Sequence, residues 1–329
     1  MTLPPGYSLV IDRAHYEPWI DPWALSLGGV AGVISKLSDG SSAVDQTAYE
    51  VEAAAIAMGL KNGVYHWTDP IEDDAGQVSN AIAAINKLKK KPFVIAVDME
   101  QWWSDWAKWQ QWRNGLITQA EVPALSPQRI SDSNYYVATK LQGYYPGIPV
   151  IIYTSTYFIL DHCLPALSWI GGFGLWIPRW PNPPAENTKT TWEDFIANRL
   201  PPMVDPVFPS SWTGPKSWVG WQFSGDSPAG YVLPGMCGKI MDINYFKMDE
   251  LGVVVPPPPP PPGVVTSVTT FNPSTRIRST PTTSIDTNVI VGCPAGTVWP
   301  VAAETVKDAA GFTWYNVQGW VRGDVVTTK

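Results

Sequence analysis

Cysteine is nearly absent from this chain, with three among 329 residues: Cys163, Cys237 and Cys293. An odd and widely spaced set gives no disulfide framework, so free buried thiols are expected, with a Cys163–Cys237 bridge as the alternative. Histidine is equally scarce. His15, His66 and His162 match no metal-ligand spacing, even with Cys163 beside the last, so neither a catalytic metal nor any other cofactor is expected. Charge is sparse at 16% of residues, and the net charge of −7 lacks the basic footprint of a nucleic-acid binder. No run of about 18 apolar residues occurs, so no membrane insertion is expected. The opening MTLPPGYSLVIDRAH has neither a charged leader nor a long apolar stretch. No signal peptide is therefore expected: the chain is made in the cytoplasm and released, or a signal has been removed.

What is present is a 45% apolar content with 18 Trp and 33 Pro, a composition that builds a sizeable core. Surplus Trp serves packing and also lines sugar or aromatic-ligand clefts. Val253-Val254-Val255 followed by seven prolines, Pro256 to Pro262, marks the boundary. Seven prolines in a polyproline II helix span roughly 22 Å at about 3.1 Å each, a spacer between two bodies. The expected division is a large domain over 1–251, a linker over 252–263 and a small domain over 264–329. Five basic and four acidic residues follow Gly263, so the acidity belongs to the large domain.

Short apolar runs alternate with helical patterns through that large domain. The spacing predicts strands at Ser8–Ile11, Val30–Ser35, Gly63–His66, Phe93–Val97, Val150–Tyr153, Gly174–Ile177, Trp218–Gln222 and Lys239–Met241. Helices are predicted over Ala43–Gly59, Asp73–Lys90 and Ser126–Gln142. Eight apolar strands with helical crossovers read as an α/β fold, an irregular parallel TIM-like barrel with few helices after the last strands. The final 66 residues, rich in Thr, Val and Gly, read as a small all-β barrel.

Phe93 to Val97 is an apolar run that ends in Asp98-Met99-Glu100. Carboxylates at i and i+2 share one face, roughly 6.6 Å apart along a strand. They sit at the strand's C-terminal end, where barrel enzymes build active sites. Paired carboxylates suit glycoside hydrolysis, one protonated as general acid and one charged. Asp12 follows Leu9-Val10-Ile11 and Asp242 follows Lys239-Ile240-Met241. In a closed barrel the first and last strands are neighbours, which brings all four acids to one cleft and pushes a pKa upward by mutual repulsion.

The large domain resembles the glycoside hydrolase family 25 lysozymes, the muramidases of phage endolysins, bacterial autolysins and fungal secreted enzymes. Eight stretches carry the resemblance in order: Val10-Ile11-Asp12, Gly32 to Gly40, Gly63 to Trp67, Val97 to Glu100, Val150 to Ser155, Leu175 to Pro178, Trp221 to Ser224 and Met241 to Phe246. It implies a 1,4-β-N-acetylmuramidase that cleaves between N-acetylmuramic acid and N-acetylglucosamine in bacterial peptidoglycan with net retention. Glu100 is then the general acid. Asp98 assists, either as a nucleophile or by orienting the substrate's acetamido group, and Asp12 and Asp242 shape the cleft floor. Lys36, Tyr65, Tyr153, Gln222 and Trp176 line the sugar site. A monomer acting at the cell wall is expected.

The tail resembles bacterial SH3-like domains through Arg276 to Pro281, Gly296 to Trp299 and Trp314 to Arg322, which implies a wall anchor. Two segments depart from the family pattern: the extended loop Pro178 to Ser217, and Gln101 to Ser126 with its five Trp. There Trp102, Trp106 and Trp109 fall at i, i+4 and i+7, one helical face that either packs on the barrel or stacks on glycan. Four other readings fit the residues less well. A zinc amidase lacks ligands. A chitinase-like barrel has a further Asp where this chain has Ala96. A cysteine peptidase lacks a suitable Cys–His arrangement. A non-catalytic wall-binding barrel would be expected to have lost Glu100.

Overall fold

Leu9, Val10 and Ile11 are inaccessible to solvent on both faces of their strand, the condition of a strand packed between a barrel interior and an outer layer of helices. The computed structural model describes residues 3, 6–17, 20–180, 188–200, 208, 210–225, 230–236, 238 and 240–252, and further on the strands of the tail. In chain order the elements are β1 (Ser8–Arg13), α1 (Pro22–Leu27), β2 (Val30–Asp39), β3 (Ala43–Val44), α2 (Thr47–Ala57), β4 (Lys61–Trp67), α3 (Asp74–Ile85) and β5 (Ile95–Asp98). There follow α4 (Trp106–Arg113), α5 (Pro127–Tyr144), β6 (Val150–Tyr153), α6 (Thr156–His162), β7 (Gly174–Pro178), β8 (Thr188–Lys189), α7 (Trp192–Asp194), β9 (Gly220–Ser224), β10 (Tyr231–Val232) and β11 (Asp242–Phe246).

Eight strands close the barrel. β1, β2, β4, β5, β6, β7 and β9 pair in parallel, and β11 completes the ring between β9 and β1. The all-parallel expectation is corrected here, because β11 runs antiparallel to both neighbours. The expected last strand, Lys239–Met241, is corrected with it: Ile240 and Met241 precede the strand, which begins at Asp242. Two physical facts explain the reversal. Asp242, Asn244 and Phe246 alternate with Ile243 and Tyr245, a period of two that continues beyond the predicted strand. The connection from β9 to β11 also carries no helix among the described residues, and an antiparallel neighbour needs no helical crossover.

Two apolar layers result. The barrel interior holds Val10, Ile34, Val94, Ala96, Ile151, Trp176 and Phe246. The layer between sheet and helices holds Leu9, Ile11, Val33, Val64, Ile95, Val97 and Ile152, packed against α2, α3 and α5. In α5, Ser126 caps the first turn and Pro127 follows it, and Ile130, Val137, Ala138 and Leu141 form the buried stripe. Large interior side chains need small neighbours. A Cβ at Gly220 would lie 2.7 Å from the Phe246 ring and 2.8 Å from Trp176. Gly220→Ala is therefore expected to cost about 1–3 kcal/mol through overpacking, read as a lower urea midpoint.

Cys163 is a buried free thiol, whereas Cys237 lies outside the described residues. In the tail, β12 (Thr266–Thr270), β13 (Thr275–Arg278), β14 (Val289–Cys293), β15 (Val298–Val301), β16 (Thr305–Lys307), β17 (Thr313–Asn316), β18 (Trp320–Arg322) and β19 (Val326–Thr328) form two antiparallel sheets. Residues 253–263, which carry the proline run, and the tail side chains that bear the SH3-like resemblance lie outside the described residues. No helix among the described residues is long and apolar enough to cross a membrane.

Candidate active site

Period-two alternation delivers the polar cluster. On β1, Val10 points into the barrel and Asp12, two residues on, takes the same face at the mouth. The same step places Asp98 above Ala96, Tyr153 above Ile151 and Gln222 above Gly220. On the reversed β11 the order inverts, so Asp242 and Asn244 come before Phe246. Asp242 stands in register with Asp12 because the start of an antiparallel strand lies at the same end as its neighbours' finish. The sequence expectation that these two acids meet thus holds through a reversal that it did not foresee.

A pocket of about 110 Å³ opens here, lined by Asp12, Tyr65, Trp67, Asp98, Glu100, Tyr153, Trp176, Gln222 and Asp242. Eight of the nine expected site residues converge on it. The ninth, Lys36, stands aside: its Nζ is 2.6 Å from the Asp39 carboxylate and lies over the Trp67 ring. β5 ends at Asp98, so Met99 and Glu100 lie just past the strand, but Met99 N–H still donates to Tyr153 O at 2.9 Å and prolongs the ladder. Glu100 and Asp98 accordingly face the same pocket.

A hydrogen-bond chain fixes the far wall. Tyr153 Oη donates to Gln222 Oε1 at 3.0 Å, and Gln222 Nε2 donates to Asp242 at 2.9 Å and to Asp12 at 3.3 Å. Asn244 Nδ2 donates to Asp12 at 2.7 Å, and Trp176 Nε1 donates to Asn244 Oδ1 at 2.7 Å. Sequence reasoning missed Asn244 and Trp67 as site residues. Asn244 was legible as the position two after Asp242 on one strand, and Trp67 as two after Tyr65.

The electrostatics single out Asp98. Burial first, and the Glu100 charge second, push its carboxyl well above the usual range, with the Lys36 ammonium partly opposing them. Burial and the surrounding carboxylates likewise hold the Tyr65 and Tyr153 phenols far above their ordinary values, so both remain neutral donors. Among the described residues, no group of three or more His, Cys, Asp or Glu is arranged to hold a metal ion.

The pattern of glycosyl hydrolases family 25 matches residues 11–230, well over half of the chain. The chain belongs to this family. A family 25 lysozyme from Aspergillus fumigatus has a TM-score of 0.50 at 16% identity, covering 75% of this chain and 100% of that one. The catalytic domain of endolysin ply40 from bacteriophage P40 of Listeria monocytogenes gives 0.49 at 15% identity, covering 74% and 96%. A family 25 hydrolase from Bacillus anthracis gives 0.48 at 17%, covering 74% and 91%. At 16% identity the likeness to the Aspergillus lysozyme is one of fold alone. No curated protein sequence matches this chain.

Two sequence readings are corrected in this family 25 barrel. Trp102 does not share a helix with Trp106 and Trp109, because Asp105 caps α4 through Lys108 N–H at 3.0 Å and the helix starts after it. The cap signal overrides the helical spacing. Trp102 instead stacks on His162 at 5.0 Å, while Trp103 stacks on Trp109 at 4.3 Å and Trp109 on Trp106 at 4.7 Å. The other correction concerns His66, which in the Tyr65-His66-Trp67 run reads as a holder of neighbouring acids rather than as a metal ligand. It faces away from the pocket on β4, with Nδ1 2.9 Å from Ser38 Oγ.

Burial pushes the His66 imidazole down to about 4 from 6.5. The unfolded chain then binds more protons between those two values, so stability is lost as pH falls from 6.5 toward 4, by about 3 kcal/mol at 1.36 kcal/mol per unit. His66→Gln should flatten this loss when urea midpoints are compared at pH 7 and pH 4.5.

Proposed function

We propose that the chain is a retaining muramidase that hydrolyses the β-1,4 bond between N-acetylmuramic acid and N-acetylglucosamine in bacterial peptidoglycan. What carries the reading is Asp98 and Glu100 facing one pocket, opposite the clamped pair Asp12 and Asp242, in a family 25 barrel. Glu100 donates a proton to the glycosidic oxygen as that bond breaks. Asp98 meets the positive charge that develops at the anomeric carbon, either by attack or by holding the acetamido group that attacks. Glu100, now a carboxylate, takes a proton from the incoming water, and two inversions leave the configuration retained. Asp12 and Asp242, held by Gln222 and Asn244, keep the floor anionic and rigid, and Tyr65, Tyr153 and Trp176 present donors and ring faces to the sugars. Segment 264–329 would tether the enzyme to the wall and raise the local substrate concentration without adding catalytic contacts.

The test is digestion of purified peptidoglycan, followed by borohydride reduction and mass spectrometry. Muramitol ends are the expected product. Glucosaminitol ends or freed peptides would replace this reading with a glucosaminidase or an amidase, and no product at all would leave a wall-binding barrel.

A further inference from the structure

A second and larger cavity, of about 290 Å³, opens on the same end of the barrel, among Ser155, Tyr157, Pro178, Arg179, Trp180 and Phe208. The two cavities share no lining residue but follow one another along the chain. Tyr153 and Trp176 line the carboxylate pocket, while Ser155, two residues past Tyr153 at the cap of α6, and Pro178, two past Trp176 at the end of β7, line this one. The backbone at Arg179 is fastened to β9: its N–H donates to Gln222 O at 2.8 Å, and its carbonyl accepts Trp221 Nε1 at 2.7 Å.

The two cavities differ in charge. Four carboxylates and no cation line the first. The second holds the Arg179 guanidinium, exposed, 5.9 Å over the Tyr157 ring and in no ion pair among the described residues. Lys36, by contrast, is already paired with Asp39. A guanidinium fork with a free edge beside aromatic walls is suited to a carboxylate on a compact polar group. The volume lies at the lower end of small-ligand sites, about 300 Å³, which fits a substituent rather than a further polymer chain.

We infer that this cavity is a carboxylate subsite, in which Arg179 binds the acidic substituent that a muramoyl residue carries on its lactyl arm while the sugar occupies the neighbouring pocket. The inference rests on the muramidase reading for the sugar. It adds a recognition element that a neutral chitin-like glycan would not engage. An acidic pocket repels an anionic substituent, and a cation at its rim offsets that repulsion on the side where the substituent leaves the sugar ring.

Wild type, Arg179→Gln and Arg179→Lys are compared on soluble peptidoglycan strands with intact stem peptides, and on the same strands stripped by an amidase to the free lactyl acid. Arg179→Gln should raise KM on intact strands about three- to tenfold with kcat unchanged, as for one charge-assisted contact, and Arg179→Lys should recover part of the loss. A KM effect confined to intact strands assigns a peptide carboxylate, and an effect on both substrates means that the guanidinium also takes the lactyl carboxylate that the amidase frees. An unchanged KM on intact strands overturns the subsite. Should the wild type cleave neither substrate, the muramidase reading fails separately. Calorimetric binding of N-acetylmuramoyl-L-alanyl-D-glutamate to wild type and Arg179→Gln then decides the subsite: equal affinity, or no binding by either protein, overturns it.

Discussion

Glu100→Gln should lower kcat on purified peptidoglycan by about 10²–10⁴-fold, the range for loss of a positioned general acid, with KM little changed because the amide keeps the shape of the side chain. The assay is release of new reducing ends, compared at matched protein concentration. The same substitution carries a second, independent signature. The Glu100 charge is the second-largest influence raising the Asp98 carboxyl, so its removal should lower the Asp98 pKa while burial still keeps it above the ordinary value. A carboxyl-carbon NMR titration of the wild type and the variant reads this directly. Retained activity with an unmoved Asp98 titration would remove Glu100 from its role.

Asp98→Asn should abolish turnover on a similar scale and yet stabilise the fold. The folded-state carboxyl titrates well above its ordinary value of 3.8. Between those two values the native state holds more protons than the unfolded chain, so stability falls as pH rises through that window. An Asn side chain has no charge to bury and escapes the loss. A Tm raised by roughly 2–4 °C at pH 7 is expected, the shift that about 1 kcal/mol produces in a domain of this size, with the difference closing as pH approaches 4. This trend is opposite in sign to that of His66, and the two single variants separate the contributions. A lower Tm for Asp98→Asn at pH 7 would show that the carboxylate is stabilised where it sits. Stability sacrificed at a site that must hold charge is the general cost of function.

Much of the site was legible because it depends on strand periodicity. Asp12, Asp98, Tyr153 and Gln222 each follow an interior apolar or small residue by two, and a local pattern suffices to place them on one face. Strand direction was not legible in the same way, since alternation reads identically in both directions. The reversal at β11 is written in what is missing between β9 and β11 among the described residues, a crossover helix, and not in the strand's own residues. The Trp segment failed for a different reason. Its spacing suits one helix through Trp102, but Ser104-Asp105 places a cap inside that span, and a cap redirects the chain where regular spacing only permits continuation. Lys36 shows a third kind of gap. Its position on β2 was readable, whereas its partner Asp39 depends on a side-chain choice that no periodicity encodes.

The antiparallel return of β11 also settles where the barrel's own ends lie. Ser8 is paired with Phe246, so the beginning of the first strand and the finish of the last sit side by side, at the end of the barrel opposite the carboxylates. An all-parallel eighth strand would have delivered the chain to the mouth. The barrel is therefore a natural candidate for circular permutation: its two ends can be spliced by a short loop, and new ends opened elsewhere, with the splice never approaching the substrate. Cargo fused after Leu251 likewise starts from the rear of the catalyst.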